Sequence, residues 1–194
     1  KKLVDDGKYF TINRARQYGK TTTLKALESY LCVDYQVVNM DFQMLSHEDF
    51  VDERSFVEAV SRELLQTVGD TLPERTRVSL ERFADGESAS VKLANLFVIL
   101  SNWCKNAGKP VVLMIDEVDS ASNNQVFLDF LAQLRGYYIH RKERPTFQSV
   151  ILAGVYDVKN IKRKIRPDEE HKINSPWNIA ADFKVNMSFS EDGI

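Results

Sequence analysis

Cysteine is scarce in this sequence: only Cys32 and Cys104 occur, and both fall in apolar helical patterns. Such thiols read as buried and free in a reducing compartment rather than as a disulfide. His47, His140 and His171 are scattered, and the two cysteines lie far from metal-ligand spacing, so a site for a metal other than Mg²⁺ is not expected. Charge of one sign is lacking too. Lys and Arg number 26 against 28 Asp and Glu, a formal net charge of −2, so no global field favours nucleic acid or an anionic membrane. No apolar run approaches the length needed to cross a bilayer, and the opening KKLVDDGKYF has no apolar signal core. A cytoplasmic protein with no membrane partner is therefore expected. Internal repeats and low-complexity tracts are missing as well.

What is present suits one globular domain over residues 1–194, with 43% hydrophobic and 28% charged residues. The chain starts without Met and stops in SFSEDGI, so a fragment of a longer protein, with a C-terminal lid or effector part elsewhere, is expected. Residues 9–13, 35–42, 111–115 and 148–155 read as strands, and VVLMI and QSVILAGV are continuous apolar runs of the kind buried on both faces of a parallel sheet. Helical spacing marks residues 20–31 and 53–68, the latter through Phe56, Val60, Leu64 and Val68. A short helix is expected to end at Phe83, and another to run from the turn at residues 85–88 to about Gly108. A long one covers residues 124–141, with Phe127, Phe130, Leu134 and Tyr138 on one side. Residues 46–52 read as a loop, 159–166 as a short basic helix and 186–189 as a last strand. Strands alternating with helices predict an α/β domain, a mostly parallel sheet flanked by helices in three layers.

The stretch YFTINRARQYGKTT, residues 9–22, carries the chemistry. A strand, a turn and Gly19-Lys20-Thr21 opening a helix form the layout of a phosphate-binding loop, or P-loop. Amides at a helix N-terminus point outward and the helix dipole favours an anion there. Gly19 lets the backbone approach the phosphates without a Cβ in the way. Lys20 is expected to reach the β- and γ-phosphates, and the Thr21 hydroxyl to bind Mg²⁺. Arg16, Gln17, Tyr18, Gly19, Lys20, Thr21 and Thr22 are the expected nucleotide contacts. The pattern departs from the full Walker A motif at Arg14, which stands where a glycine is usual. Arg14 and Arg16 either contact phosphate or pair with nearby carboxylates.

VVLMIDEVD supplies the other half of such a site, the Walker B strand. Asp116 at the strand's end is the expected Mg²⁺ residue, and Glu117 is placed to polarise the attacking water as general base. Ligands in such sheets bind at the carboxyl ends of the strands, where Asn13, Arg14 and Asp116 fall.

With these motifs assembled, the chain resembles the bacterial predicted AAA-type ATPases, the AAA-ATPase-like family. INRARQYGKTTTL, VVLMIDEVD, SVILAGVYDVKNIK and NSPWNIAADF all look like segments of that group. The resemblance implies a P-loop NTPase fold of the additional-strand, catalytic-glutamate type, with ATP and Mg²⁺ as its ligands. It implies phosphate and Mg²⁺ contacts from Gly19, Lys20 and Thr21, an acidic Mg²⁺ residue at Asp116, and Glu117 as base. AAA-type enzymes usually end the next strand in a polar γ-phosphate sensor; here that strand ends Leu152-Ala153-Gly154-Val155, with Tyr156 and Asp157 the nearest polar residues.

The expected function is therefore ATP binding and hydrolysis, slow in isolation, coupled to a conformational change. Self-association or a downstream domain is the expected partner. A scaffold that holds nucleotide without turnover is the first alternative, and an ATPase acting on nucleic acid the second. The latter rests on Lys159, Lys162, Arg163, Lys164 and Arg166, with Arg141, Lys142 and Arg144 nearby in sequence. A solvated surface is the favoured role for that cluster, as for Arg135 and Arg141 on the long helix, and Trp177 is expected to pack on the core.

Overall fold

Alternation along the strands decides which face of the sheet each side chain covers. In β3 (Val111–Asp116) all six residues are buried. Val111, Leu113 and Ile115 join one core, while Val112 and Met114 join another. The same split runs through β4 (Ser149–Gly154), where Val150 and Leu152 face the first core and Ile151 and Ala153 the second. A sheet apolar on both faces needs helices on both. The computed structural model, which describes residues 1–13, 19–88 and 90–154 and not the Lys20 side chain, has them.

On the second face, Leu24 and Leu31 of α2 (Lys20–Leu31) pack with Val4 of the short α1 (Lys2–Asp5) against Phe10 and Ile12 of β1 (Phe10–Asn13). On the first face lie α3 (Glu53–Val68), α4 (Glu74–Ala84) and α5 (Leu93–Asn106). They are joined there by α6 (Val118–Ala121) and α7 (Gln125–Ile139). Their apolar stripes meet Val38 and Met40 of β2 (Gln36–Asp41). Edge-on ring contacts of Phe42 with Phe56 and Phe127 tie the turn after β2 to α3 and α7. The expected three-layer α/β arrangement is thus present.

The four strands are all parallel, in the order β1-β4-β3-β2. The last strand in sequence is therefore inserted between β1 and β3. Asn13 pairs in register with Gly154, and Asp41 with Asp116, so all four strands end at one edge.

Several local expectations change. Cys32 is exposed, one residue beyond the last buried leucine of α2, and its thiol donates to the Ser29 carbonyl at 3.1 Å. Both cysteines are free; Cys104 is half-buried, and burial pushes its thiol up to about 12. The helix expected to begin at residues 85–88 begins at Leu93, where the Glu53 carboxylate accepts from the Leu93 amide at 2.8 Å. That cap comes from α3, far away in sequence. Residues 46–52 include a 3₁₀ turn, His47–Phe50, closed by Ser46 and Asp49. Arg141 is not a residue of α7's solvated face. It lies past the helix end, its Nη1 donates to the Gly7 carbonyl at 2.6 Å, and its guanidinium sits 4.5 Å from the Tyr138 ring centre. Arg135 is half-buried rather than solvated, and its Nε is buried without a hydrogen-bond partner. The expected helix at 159–166, the strand at 186–189 and Trp177 lie outside the described residues.

Candidate functional site

The carboxyl edge of the sheet gathers the predicted residues from two elements. Gly19 precedes α2 with φ 68° and ψ 33°, the left-handed region that side chains disfavour. A Cβ there would meet nothing closer than the Thr22 Cβ at 4.0 Å, so glycine is needed for backbone conformation rather than for space. The Gly19 carbonyl accepts from both the amide and the hydroxyl of Thr23, each at 2.8 Å, which closes the first turn of the helix. Two residues into that turn, Thr21 Oγ1 donates to Asp116 Oδ2 at 2.9 Å. This bond joins residues 95 apart in sequence and links the start of α2 to the end of β3.

Asp116 is only 4% exposed. Its other oxygen, Oδ1, accepts from the Glu117 amide at 2.8 Å, so the carboxylate is held from both sides. Alternation explains its direction: counting back from Asp116, Met114 and Val112 face the α2 side of the sheet. Hydroxyl and carboxylate oxygens are hard donors that suit Mg²⁺, which keeps several waters and takes few protein ligands. Among the described residues no group of three or more His, Cys, Asp or Glu could hold a metal ion.

Glu117 has φ 54° and ψ 38°, and among the described residues no other non-glycine has a positive φ. The left-handed turn costs about 1–2 kcal/mol. It redirects the chain from β3 into α6, whose Val118 and Ala121 are buried in the first core. Ser120 Oγ ties this corner down, donating to the Glu117 carbonyl at 2.8 Å and to the Phe42 carbonyl at 3.2 Å. Strain of this kind persists where the surroundings impose it, and it concentrates at functional sites. Glu117→Gly is accordingly expected to raise stability by about 0.5–1 kcal/mol, the relief of strain exceeding the glycine's entropic cost. A urea melt checks this, and a lower midpoint would show that the side chain contributes more to the fold than the turn costs.

Beside the same edge, Glu63 of α3 lies close to Asp41; burial raises its carboxyl above the usual range, and the Asp41 charge adds to the rise. Arg14, Arg16, Gln17, Tyr18, Tyr156 and Asp157 lie outside the described residues. One neighbour was missed from sequence. Asp119, the last residue of VVLMIDEVD, reaches the end of β4, and its only sequence signal was its place in that motif.

The fold and this edge define a parallel α/β domain with a Gly-Lys-Thr helix start held against a strand-end carboxylate. A family model for the AAA-like domain matches residues 1–185, and the chain belongs to that family. The family points to a nucleotide-binding module of the AAA-like kind. No curated protein matches the chain. No described helix is long and apolar enough to cross a membrane.

Proposed function

We propose that this domain binds ATP with Mg²⁺ and hydrolyses it, and that the change of nucleotide state drives a conformational change in a larger assembly. The observation that carries the reading is the Thr21–Asp116 hydrogen bond, because it brings together the two halves of a phosphate and Mg²⁺ site from distant parts of the sequence. The insertion of β4 between β1 and β3 further supports a P-loop NTPase of the additional-strand, catalytic-glutamate type.

In this reading the amides of residues 16–22 and the Lys20 ammonium bind the phosphates and neutralise their charge. The Thr21 hydroxyl and the Asp116 carboxylate would hold Mg²⁺, which when bound bridges the β- and γ-phosphate oxygens. Glu117 accepts a proton from water as its oxygen attacks the γ-phosphorus. The bond from that phosphorus to the bridging oxygen breaks, and ADP leaves with the oxygen.

The test is calorimetry with Mg-ATP beside a phosphate-release assay on the same preparation. The expected outcome is measurable binding with turnover below about 1 s⁻¹, the low end of the usual enzyme range. An arginine supplied by a second copy or a downstream domain is worth about 10³–10⁵ in rate in other P-loop enzymes, so turnover should rise with protein concentration if copies associate. Absence of binding heat would overturn the proposal. Binding with no turnover at any concentration would favour the scaffold reading, which Arg14 in the loop also favours. Stimulation by DNA would favour the nucleic-acid reading.

A further inference from the structure

Gly154 is unlike Gly19: it is not among the described glycines with positive φ, so its backbone does not demand glycine. Space does. A Cβ at Gly154 would lie 2.8 Å from Asp119 Oδ2, 2.9 Å from Val118 Cγ2 and 3.2 Å from Asp119 Cγ, closer than real Cβ contacts come. The missing side chain leaves room at the end of β4, and the Asp119 carboxylate occupies it.

That location matters because of the strand order. β4 lies between the strand that leads into the phosphate loop and the strand that ends in Asp116, and Gly154 is in register with Asn13. AAA-type sites usually carry a polar side chain at the end of this strand, and this strand ends in a residue with none. We propose that Asp119 supplies the polar group there instead and is a further catalytic residue, accepting a hydrogen bond from the attacking water. The inference rests on the ATPase reading above.

Two features suit Asp119 to the task. Its backbone is anchored: the Ser122 hydroxyl donates to the Asp119 carbonyl at 2.8 Å, and Val118 and Ala121 on either side of it are fully buried. Its carboxylate is an acceptor only, so it orients water hydrogens and does not donate to phosphate oxygens. Holding one hydrogen of the water while Glu117 takes the other proton fixes the oxygen's line of attack. Misplacement by about 1 Å can cost about 10²-fold in rate.

The experiment compares the wild type with Asp119→Asn, Gly154→Ala and the double variant by single-turnover phosphate release and Mg-ATP calorimetry. Asp119→Asn keeps the shape and replaces one acceptor oxygen with a donor. Gly154→Ala pushes the carboxylate away from the strand end. Each is expected to slow turnover by about 10²-fold with Mg-ATP affinity within about twofold. The double variant should be no slower than Asp119→Asn alone, because both changes remove one interaction. Wild-type turnover in Asp119→Asn would overturn the role of Asp119 and leave the ATPase reading standing. Equal losses of rate, affinity and melting temperature in Asp119→Asn would also overturn it, since they would mark a residue that only supports α6. A wild type that neither binds nor turns over Mg-ATP would overturn the ATPase reading, and this inference with it.

Discussion

Lys20→Ala is expected to weaken Mg-ATP binding by at least about 30-fold, and to leave melting temperature unchanged. Lys20 is the lysine of the Gly-Lys-Thr sequence, and its backbone opens α2 directly after the left-handed Gly19. The remaining sources of phosphate affinity are weaker. A helix N-terminus contributes about 0.3–1 kcal/mol to a nearby anion at an exposed site. Truncating one partner of a buried, hydrogen-bonded charge pair costs about 2–5 kcal/mol, and 1.4 kcal/mol is tenfold in affinity. Alanine is a better helix former than lysine, so the first turn of α2 is not weakened by the change. Titration of a fluorescent ATP analogue against both proteins checks the prediction. Equal affinities would remove the phosphate-loop reading, because every other contact assigned to the loop is shared by the two.

The parts of the fold legible in sequence are those whose signal is local and repeated. The apolar run VVLMI gave both the burial of β3 and the helices on its two faces, since a strand with no polar side has nowhere to meet water. The four-residue spacing from Phe56 to Val68 predicted α3 to its ends. Elements of four residues, such as α1 and α6, complete barely one turn and show no period. The start of α5 was misread because its cap is the Glu53 carboxylate, a tertiary contact that no neighbouring residue announces. The candidate site divides the same way. Gly19, Thr21, Asp116 and Glu117 stood in recognisable patterns, and the structure brings Thr21 and Asp116 into contact. Asp119 could not be singled out, because its position at the strand end depends on Gly154, which lies beyond all of α7 in sequence.

Glu117→Gln should leave Mg-ATP affinity close to that of the wild type while slowing hydrolysis by about 10²–10⁴-fold, the usual contribution of a general base. The substitution is nearly isosteric. It keeps the backbone amide that donates to Asp116 Oδ1, so the proposed Mg²⁺ residue stays held from both sides. It also keeps a side chain in the left-handed turn, so the strain at φ 54° is about the same. What it removes is a carboxylate able to take a proton. A loss of rate with affinity retained is the mark of an interaction made in the transition state alone. Glu117→Gly provides the contrast. It removes the same base and relieves the turn, so it should match Glu117→Gln in lost turnover and exceed it in stability. If the strained backbone, rather than the carboxylate, were what the reaction needs, Glu117→Gln would hydrolyse ATP normally and only the glycine variant would fail. Single-turnover phosphate release at saturating Mg-ATP distinguishes the two. Hydrolysis by Glu117→Gln at the wild-type rate would show that another group takes the proton.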